Sequence, residues 1–102
     1  MDNINIKELN NINKVDWAII NTVYLNNNIS IGELARKLSI SNVNIWNHLN
    51  GLKSNDIIVI PIVKRGKKKQ LSLSKEKEYL GKLSEDILNI LKQQQNGRKT
   101  NN

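Results

Sequence analysis

Two serines set the first constraint on this chain. Ser30 stands three residues before Glu33 and just ahead of an apolar series, Leu34, Ala35 and Leu38. That is the pattern of a capping box, in which a hydroxyl accepts from the backbone three residues on and a carboxylate reaches back to the cap. The spacing predicts a helix from Gly32 or Glu33 to Leu38. Ser39-Ile40-Ser41 interrupts it with one apolar residue between two hydroxyls, and Ser41 is placed to cap a second helix from Asn42 to about Ser54. On that helix Ile45, Leu49 and Leu52 fall at i, i+4 and i+7 and share one inward stripe. A helix, a short break and a helix form a helix-turn-helix corner.

The flanking segments supply further elements. Between Lys14 and about Asn26, the residues Val15, Ile19, Ile20, Val23 and Tyr24 recur at helical spacing. Asp16 lies near the start and Asn26-Asn27-Asn28 forms the stop. Ile29-Ser30-Ile31 alternates like a very short strand. Ile57 to Val63 and Gln70 to Ser74 read as two strands joined across residues 64–69. The only proline, Pro61, lies in the first of these and cannot donate to a ladder, which puts it at a sheet edge or a bulge. Ser74, followed by Lys75-Glu76-Lys77-Glu78, begins a last helix to about Gln95. Leu80, Leu83, Ile87, Ile90 and Leu91 stand at near-heptad spacing in it, with Gly81 as a weak point. The expected class is α+β: a three-helix core, a small antiparallel sheet and an extra C-terminal helix. Residues 1–12 read as a frayed arm, a short helix or a dimer contact, 13–74 as the domain, 75–95 as the added helix and 96–102 as a polar, disordered tail.

Charge narrows the function. Lys64-Arg65-Gly66-Lys67-Lys68-Lys69 puts five cations into six residues around a glycine. Held in water they would repel one another unless a polyanion met them, and phosphates are the common polyanion. Sixteen Lys and Arg against nine Asp and Glu give a net charge of +7 and a pI near 9.8, a balance suited to nucleic acid or an anionic surface. Seven of the sixteen cations lie between Lys53 and Lys75, whereas the first 34 residues hold two cations and four acids, so the positive field belongs to one region.

Other classes lose ground on composition. With no cysteine and His48 as the lone histidine, thiolate and histidine metal sites have no ligand set, and His48 reads as structural. No cofactor is expected. There is no nucleophile elbow, phosphate-cradling glycine loop or carboxylate pair, so an enzyme is not expected either. No apolar run approaches a membrane span, and Met1-Asp2-Asn3 begins no signal peptide. The expected location is therefore the cytoplasm, on the nucleoid, or the host cytoplasm if the source is viral.

The outward side of the Asn42–Ser54 helix is unusual. Val43, Asn47 and Asn50 lie opposite the apolar stripe, flanked by Asn44 and Trp46, where Glu and Lys are the ordinary surface residues. Asparagine can bond the adenine N6 and N7 edge bidentately, and this face holds no arginine or lysine for guanine, so if it met DNA its specificity would be modest or A·T-leaning. The large apolar body of Trp46 favours packing against the first helix or a partner.

The series Ile31-Gly32-Glu33-Leu34-Ala35-Arg36-Lys37-Leu38-Ser39-Ile40-Ser41, followed by Ile45, His48-Leu49, Leu52 and Ile57-Ile58, resembles winged helix-turn-helix proteins. The likeness is to bacterial and archaeal regulators of the MarR and ArsR type, and it extends from about Lys14 to Ser74. Asp56, preceded by Asn55, replaces the family's usual glycine, and both residue types tolerate a left-handed conformation. The resemblance implies double-stranded DNA as partner, with the third helix in the major groove and residues 64–69 as the wing. Asn42, Asn44, Asn47 and Asn50 would then contact bases or phosphates, and Arg36, Lys37, Ser39 and Ser41 would meet phosphates near the turn. Lys64, Arg65, Lys67, Lys68 and Lys69 would supply salt-dependent affinity. It also implies a homodimer through the outer helices, although the Leu80, Leu83, Ile87, Ile90 and Leu91 stripe could instead fold back on its own domain. The expected function is a transcriptional regulator, a repressor by promoter occupancy. A sequence-independent architectural DNA-binding protein and a winged-helix protein-interaction module are the alternatives, and the wing's charge argues against the latter.

Overall fold

The computed structural model describes residues 12–61, 63, 66 and 69–100, with side-chain surroundings through Gln93. Residues 1–11, which make up most of the anticipated arm, lie outside the described residues. The element order is α1 (Lys14–Leu25), β1 (Ile29–Ser30), α2 (Ile31–Leu38), α3 (Asn42–Ser54), β2 (Ile58–Val59), β3 (Gln70–Leu73), a 3-10 turn (Lys75–Lys77) and α4 (Glu78–Thr100).

The capping chemistry sets these boundaries. Asn13 caps α1: its Oδ1 accepts from Asp16 N at 2.9 Å, and Asp16 Oδ2 accepts from Asn13 N at 3.3 Å. Ser30 does the same for α2 with Glu33, so the helix starts at Ile31, a residue or two earlier than the spacing suggests. Ser41 caps α3, its Oγ accepting from Asn44 N at 3.2 Å. Both helices of the corner end in the same closure. Ile40 N donates to Ala35 O and Ser39 N to Arg36 O; Ile57 N donates to Leu52 O and Asp56 N to Lys53 O. Each closure needs a left-handed residue, and Ser39 (φ 55°) and Asp56 (φ 59°) occupy that place, which glycine takes at lowest cost.

The sheet is smaller than the apolar run implies. Its order is β1-β3-β2, all antiparallel, with Ile29 opposite Leu71 and Ile58 opposite Leu73. The predicted strand from Ile57 to Val63 shrinks to Ile58–Val59. Pro61 therefore lies beyond the ladder rather than inside it, although β2 is an edge strand, where a missing donor is tolerated.

Among the described residues fifteen apolar side chains form the core, running from Ile12 and Trp17 through Ile45, Leu49, Leu52 and Leu71 to Leu80. Ile12, which the sequence grouped with the arm, is buried in it. The broadest helix contact is α4 against α1, and it corrects the assignment of the α4 stripe to a partner. Leu80 is fully buried in its own domain, and Leu83 and Ile87 pack on the same core. The reason is that α1 has a second apolar side that the helix-turn-helix corner does not cover. Gly81 is the point of closest approach, since a Cβ there would meet the Tyr24 ring and lie 2.7 Å from Leu73 Cδ1. It is a packing requirement, not a weak point. Ser84, also fully buried, donates to Gly81 O at 2.6 Å and lies 3.0 Å from the Asn21 side-chain amide. The nearer amide atom is Asn21 Oδ1, so it and Gly81 O are alternative acceptors for the single hydroxyl proton of Ser84.

Tyr24 over Gly81 and Asn21 beside Ser84 make α1 and α4 antiparallel, and on that register α1 begins opposite Leu91. The backbone of α4 stays helical through Thr100, across residues 96–100 that composition assigned to the tail. Its last nine residues thus run roughly 13 Å past α1.

Candidate nucleic-acid interface

The buried stripe of α3 orients the rest of that helix. Ile45 and Leu49 are fully buried and Leu52 nearly so, leaving Val43, Asn47 and Asn50 on the outward line. Asn44 lies about 100° round from Val43 on one side, with Asn42 at the helix start. All four asparagines are exposed, and among the described residues no side-chain partner engages their amides. Ser41 uses its oxygen as the cap, which leaves its O–H proton for an outside acceptor. Arg36 and Lys37 sit exposed in the last turn of α2, and Ser39 is exposed at the turn itself.

The wing meets the corner at its stem. Lys69 and Arg36 line one shallow cleft with the start of α2, Ser30 to Glu33. Lys69 Nζ also stands 5.6 Å from the centroid of the Trp46 ring, within reach of a cation–π attraction. Trp46 is only partly buried and stands apart from the core cluster. The expected packing of Trp46 against α1 is therefore replaced by contact with the wing stem. Gly66 takes φ 87°, the left-handed region that a turn at the middle of the basic run requires. The side chains expected to carry most of the charge, Lys64, Arg65, Lys67 and Lys68, lie outside the described residues.

One functional contact was not legible in the sequence. His48 Nδ1 lies 2.8 Å from Asp16 Oδ1, so the carboxylate that closes the α1 cap with one oxygen holds α3 with the other. The partners are 32 residues apart, a separation that no local spacing rule connects. Asp16 at the third position of α1 and a histidine beside an apolar stripe were the only available signals. Among the described residues no group of three His, Asp or Glu side chains converges as a metal site would need, and no helix is long and apolar enough to cross a membrane.

A capped helix pair with a left-handed serine at its turn, an exposed amide face and a β-hairpin stem against that face define a winged helix-turn-helix domain. The winged helix-turn-helix DNA-binding family matches residues 12–59. The fold is MarR-like. Staphylococcus aureus MarR, solved with salicylate and kanamycin, matches at a TM-score of 0.68 and 23% identity over 93% of this chain. The S. aureus MepR–DNA complex matches at 0.72 and 15% over 89%, and the MarR repressor of Listeria monocytogenes at 0.59 and 26% over 82%. The chain spans 63%, 68% and 57% of those three chains, respectively. No curated protein matches the sequence.

Proposed function

We propose that this protein is a DNA-binding transcriptional regulator that represses by occupying a promoter, with α3 in the major groove and the basic hairpin on adjacent backbone. The observation that carries the reading is the outward face of α3, where exposed amides have no side-chain partner among the described residues while a cationic hairpin stem touches the same helix through Lys69 and Trp46. Asn42, Asn44, Asn47 and Asn50 supply base or phosphate contacts. Arg36, Lys37, Ser39 and Ser41 bind phosphates at the turn, and Lys64, Arg65, Lys67, Lys68 and Lys69 add sequence-independent affinity. MepR, similar in fold, has been solved bound to DNA, which supports DNA as the partner.

The working unit is a homodimer. With Leu80, Leu83 and Ile87 committed to their own core, the surface left for a second copy is the overhanging end of α4, where Ile90 is half exposed, together with Leu91 and residues 1–11. Among the described residues no other helix runs beside that end, an isolated helical end is marginal in water, and a second copy would cover it. Equivalent α3 helices would then enter major grooves about one helical turn, roughly 34 Å, apart.

The test is a titration against AT-rich genomic fragments, including the gene's own upstream region, and against random duplex at two salt concentrations. A fragment bound about a thousandfold more tightly than random duplex is the expected result. Equal and steeply salt-sensitive binding to every duplex would replace the regulator with an architectural protein. Absence of binding at low salt would move the function to a protein partner.

A further inference from the structure

Val43 is the second residue of α3, and at 70% it has the highest exposure among the large apolar side chains described as exposed. Stability gives no reason for a valine there. β-branched residues are weaker helix formers than the Ala, Glu, Lys or Gln that usually fill such positions, and the side chain lies on the face opposite Ile45 and Leu49.

Its neighbours suggest what it meets. Asn47 lies one turn on, at i+4, and Asn50 at i+7, so one apolar side chain and two amides share one line. In the major groove an A·T pair presents the adenine N7 acceptor and N6 donor beside the thymine O4 and C5 methyl. An amide complements the first pair of groups and an apolar side chain complements the methyl. The line holds no arginine or lysine for guanine and no carboxylate for cytosine. Valine is short, so it reaches a base edge only where the helix backbone comes closest, and that is the N-terminal end of a recognition helix.

We infer that Val43 is a specificity-determining residue that packs on the C5 methyl of a thymine next to the adenine bonded by Asn47. This rests on α3 being the base-reading helix.

The experiment selects duplexes from a random pool with the full-length protein, then replaces each thymine of the selected duplex singly by deoxyuridine, which lacks only the methyl. Affinities are measured for the natural protein and for Val43→Ala. The expected result is one thymine whose replacement weakens the natural protein about fourfold, the worth of one buried methyl. Val43→Ala should lose a similar factor on the thymine duplex and be indifferent to deoxyuridine at that position. Far-UV circular dichroism of Val43→Ala should be unchanged, since the side chain is 70% exposed and lies outside the core. If every deoxyuridine duplex binds like its thymine parent, or if Val43→Ala keeps the same sensitivity, the assignment is overturned while DNA reading by α3 stands. If selection enriches no sequence although duplex is bound, base reading by α3 fails and Val43 with it.

Discussion

Replacing Gly81 with alanine tests whether α4 is seated on α1 as closely as the packing indicates. In an ordinary helix interior the change stabilises by roughly 0.5–1 kcal/mol, because glycine loses more backbone freedom on folding. Here the added methyl would fall 2.6 Å from Tyr24 Cγ and 2.7 Å from Leu73 Cδ1, about 1 Å inside ordinary carbon–carbon contact of roughly 3.5–4.0 Å. Overpacking of that kind costs about 1–3 kcal/mol. Tyr24 is partly exposed and its ring can swing outwards but Leu73 remains in the way, which places the cost at about 2 kcal/mol, so after the gain in backbone freedom the net effect is a destabilisation of about 1–1.5 kcal/mol. At about 4–8 °C per kcal/mol for a domain of this size, the melting temperature falls by several degrees. The assay is thermal and urea unfolding followed by circular dichroism at one fixed protein concentration, because the proposed dimerisation would make the midpoint concentration-dependent. In a Tyr24→Ala background the nearest obstacle is gone, and Gly81→Ala should cost about 1 kcal/mol less than in the natural protein, with Leu73 accounting for what remains. A higher melting temperature for Gly81→Ala alone would refute the close seating.

Three further outcomes follow from particular side chains. Ser39→Gly should raise stability by up to about 1 kcal/mol, since φ 55° strains any residue with a Cβ, while weakening DNA binding because the hydroxyl is gone; a lower urea midpoint would discredit the α2 closure. Asp16→Ala removes the acceptor of both Asn13 N and His48 Nδ1 and should cost about 1–3 kcal/mol. His48→Ala added to it should then cost little more, and full additivity of the two effects would mean the bond contributes nothing. Arg65→Ala with Lys67→Ala should flatten the dependence of log K on log salt by about 2, close to one unit for each phosphate no longer neutralised; an unchanged slope would remove these residues from the interface.

What could be read from the chain alone was whatever a local rule governs. Ser30 with Glu33 and Ser41 ahead of Asn42 announce helix starts through hydrogen bonds that span three residues, and α3 ends at Ser54 as its spacing predicts. The left-handed place of Asp56 was implied by the resemblance, in which it stands for the family's usual glycine. The unreadable parts depend on what approaches from elsewhere. Seven consecutive apolar or proline positions say that residues 57–63 favour extended backbone, but not that β3 pairs with only two of them. A near-heptad stripe on α4 fits either a partner or α1, and the choice turns on the packing of Gly81 under Tyr24. Trp46 departs from its expected place because the apolar body of an indole says nothing of the Lys69 ammonium that the hairpin brings to it. Among the proposed contacts the amide face of α3 was legible, whereas its fastening to α1 was not.

That fastening bears on how two copies would measure DNA. α3 is held from behind by its apolar stripe, from α1 by Asp16 on His48, and from the hairpin stem by Lys69 on Trp46. α1 is in turn clasped by α4 through Gly81 and the Asn21–Ser84 pair. Side chains on the single rigid helix α1 thus connect the groove-facing helix to the helix whose far end is proposed to pair. The hairpin meets α4 through Leu73 of β3, beside Gly81, rather than at Lys69, which faces Trp46. In the proposed dimer the distance between the two recognition helices is therefore set by the α4–α1–α3 stack, and the wing adds affinity without affecting spacing. Loosening the stack at Gly81 should leave binding to an isolated half-site nearly intact while broadening the half-site separations that the dimer accepts. Removing wing cations should do the reverse, lowering affinity at every separation alike. If instead Gly81→Ala lowers half-site binding as much as full-site binding, the stack contributes only stability, and spacing is set elsewhere.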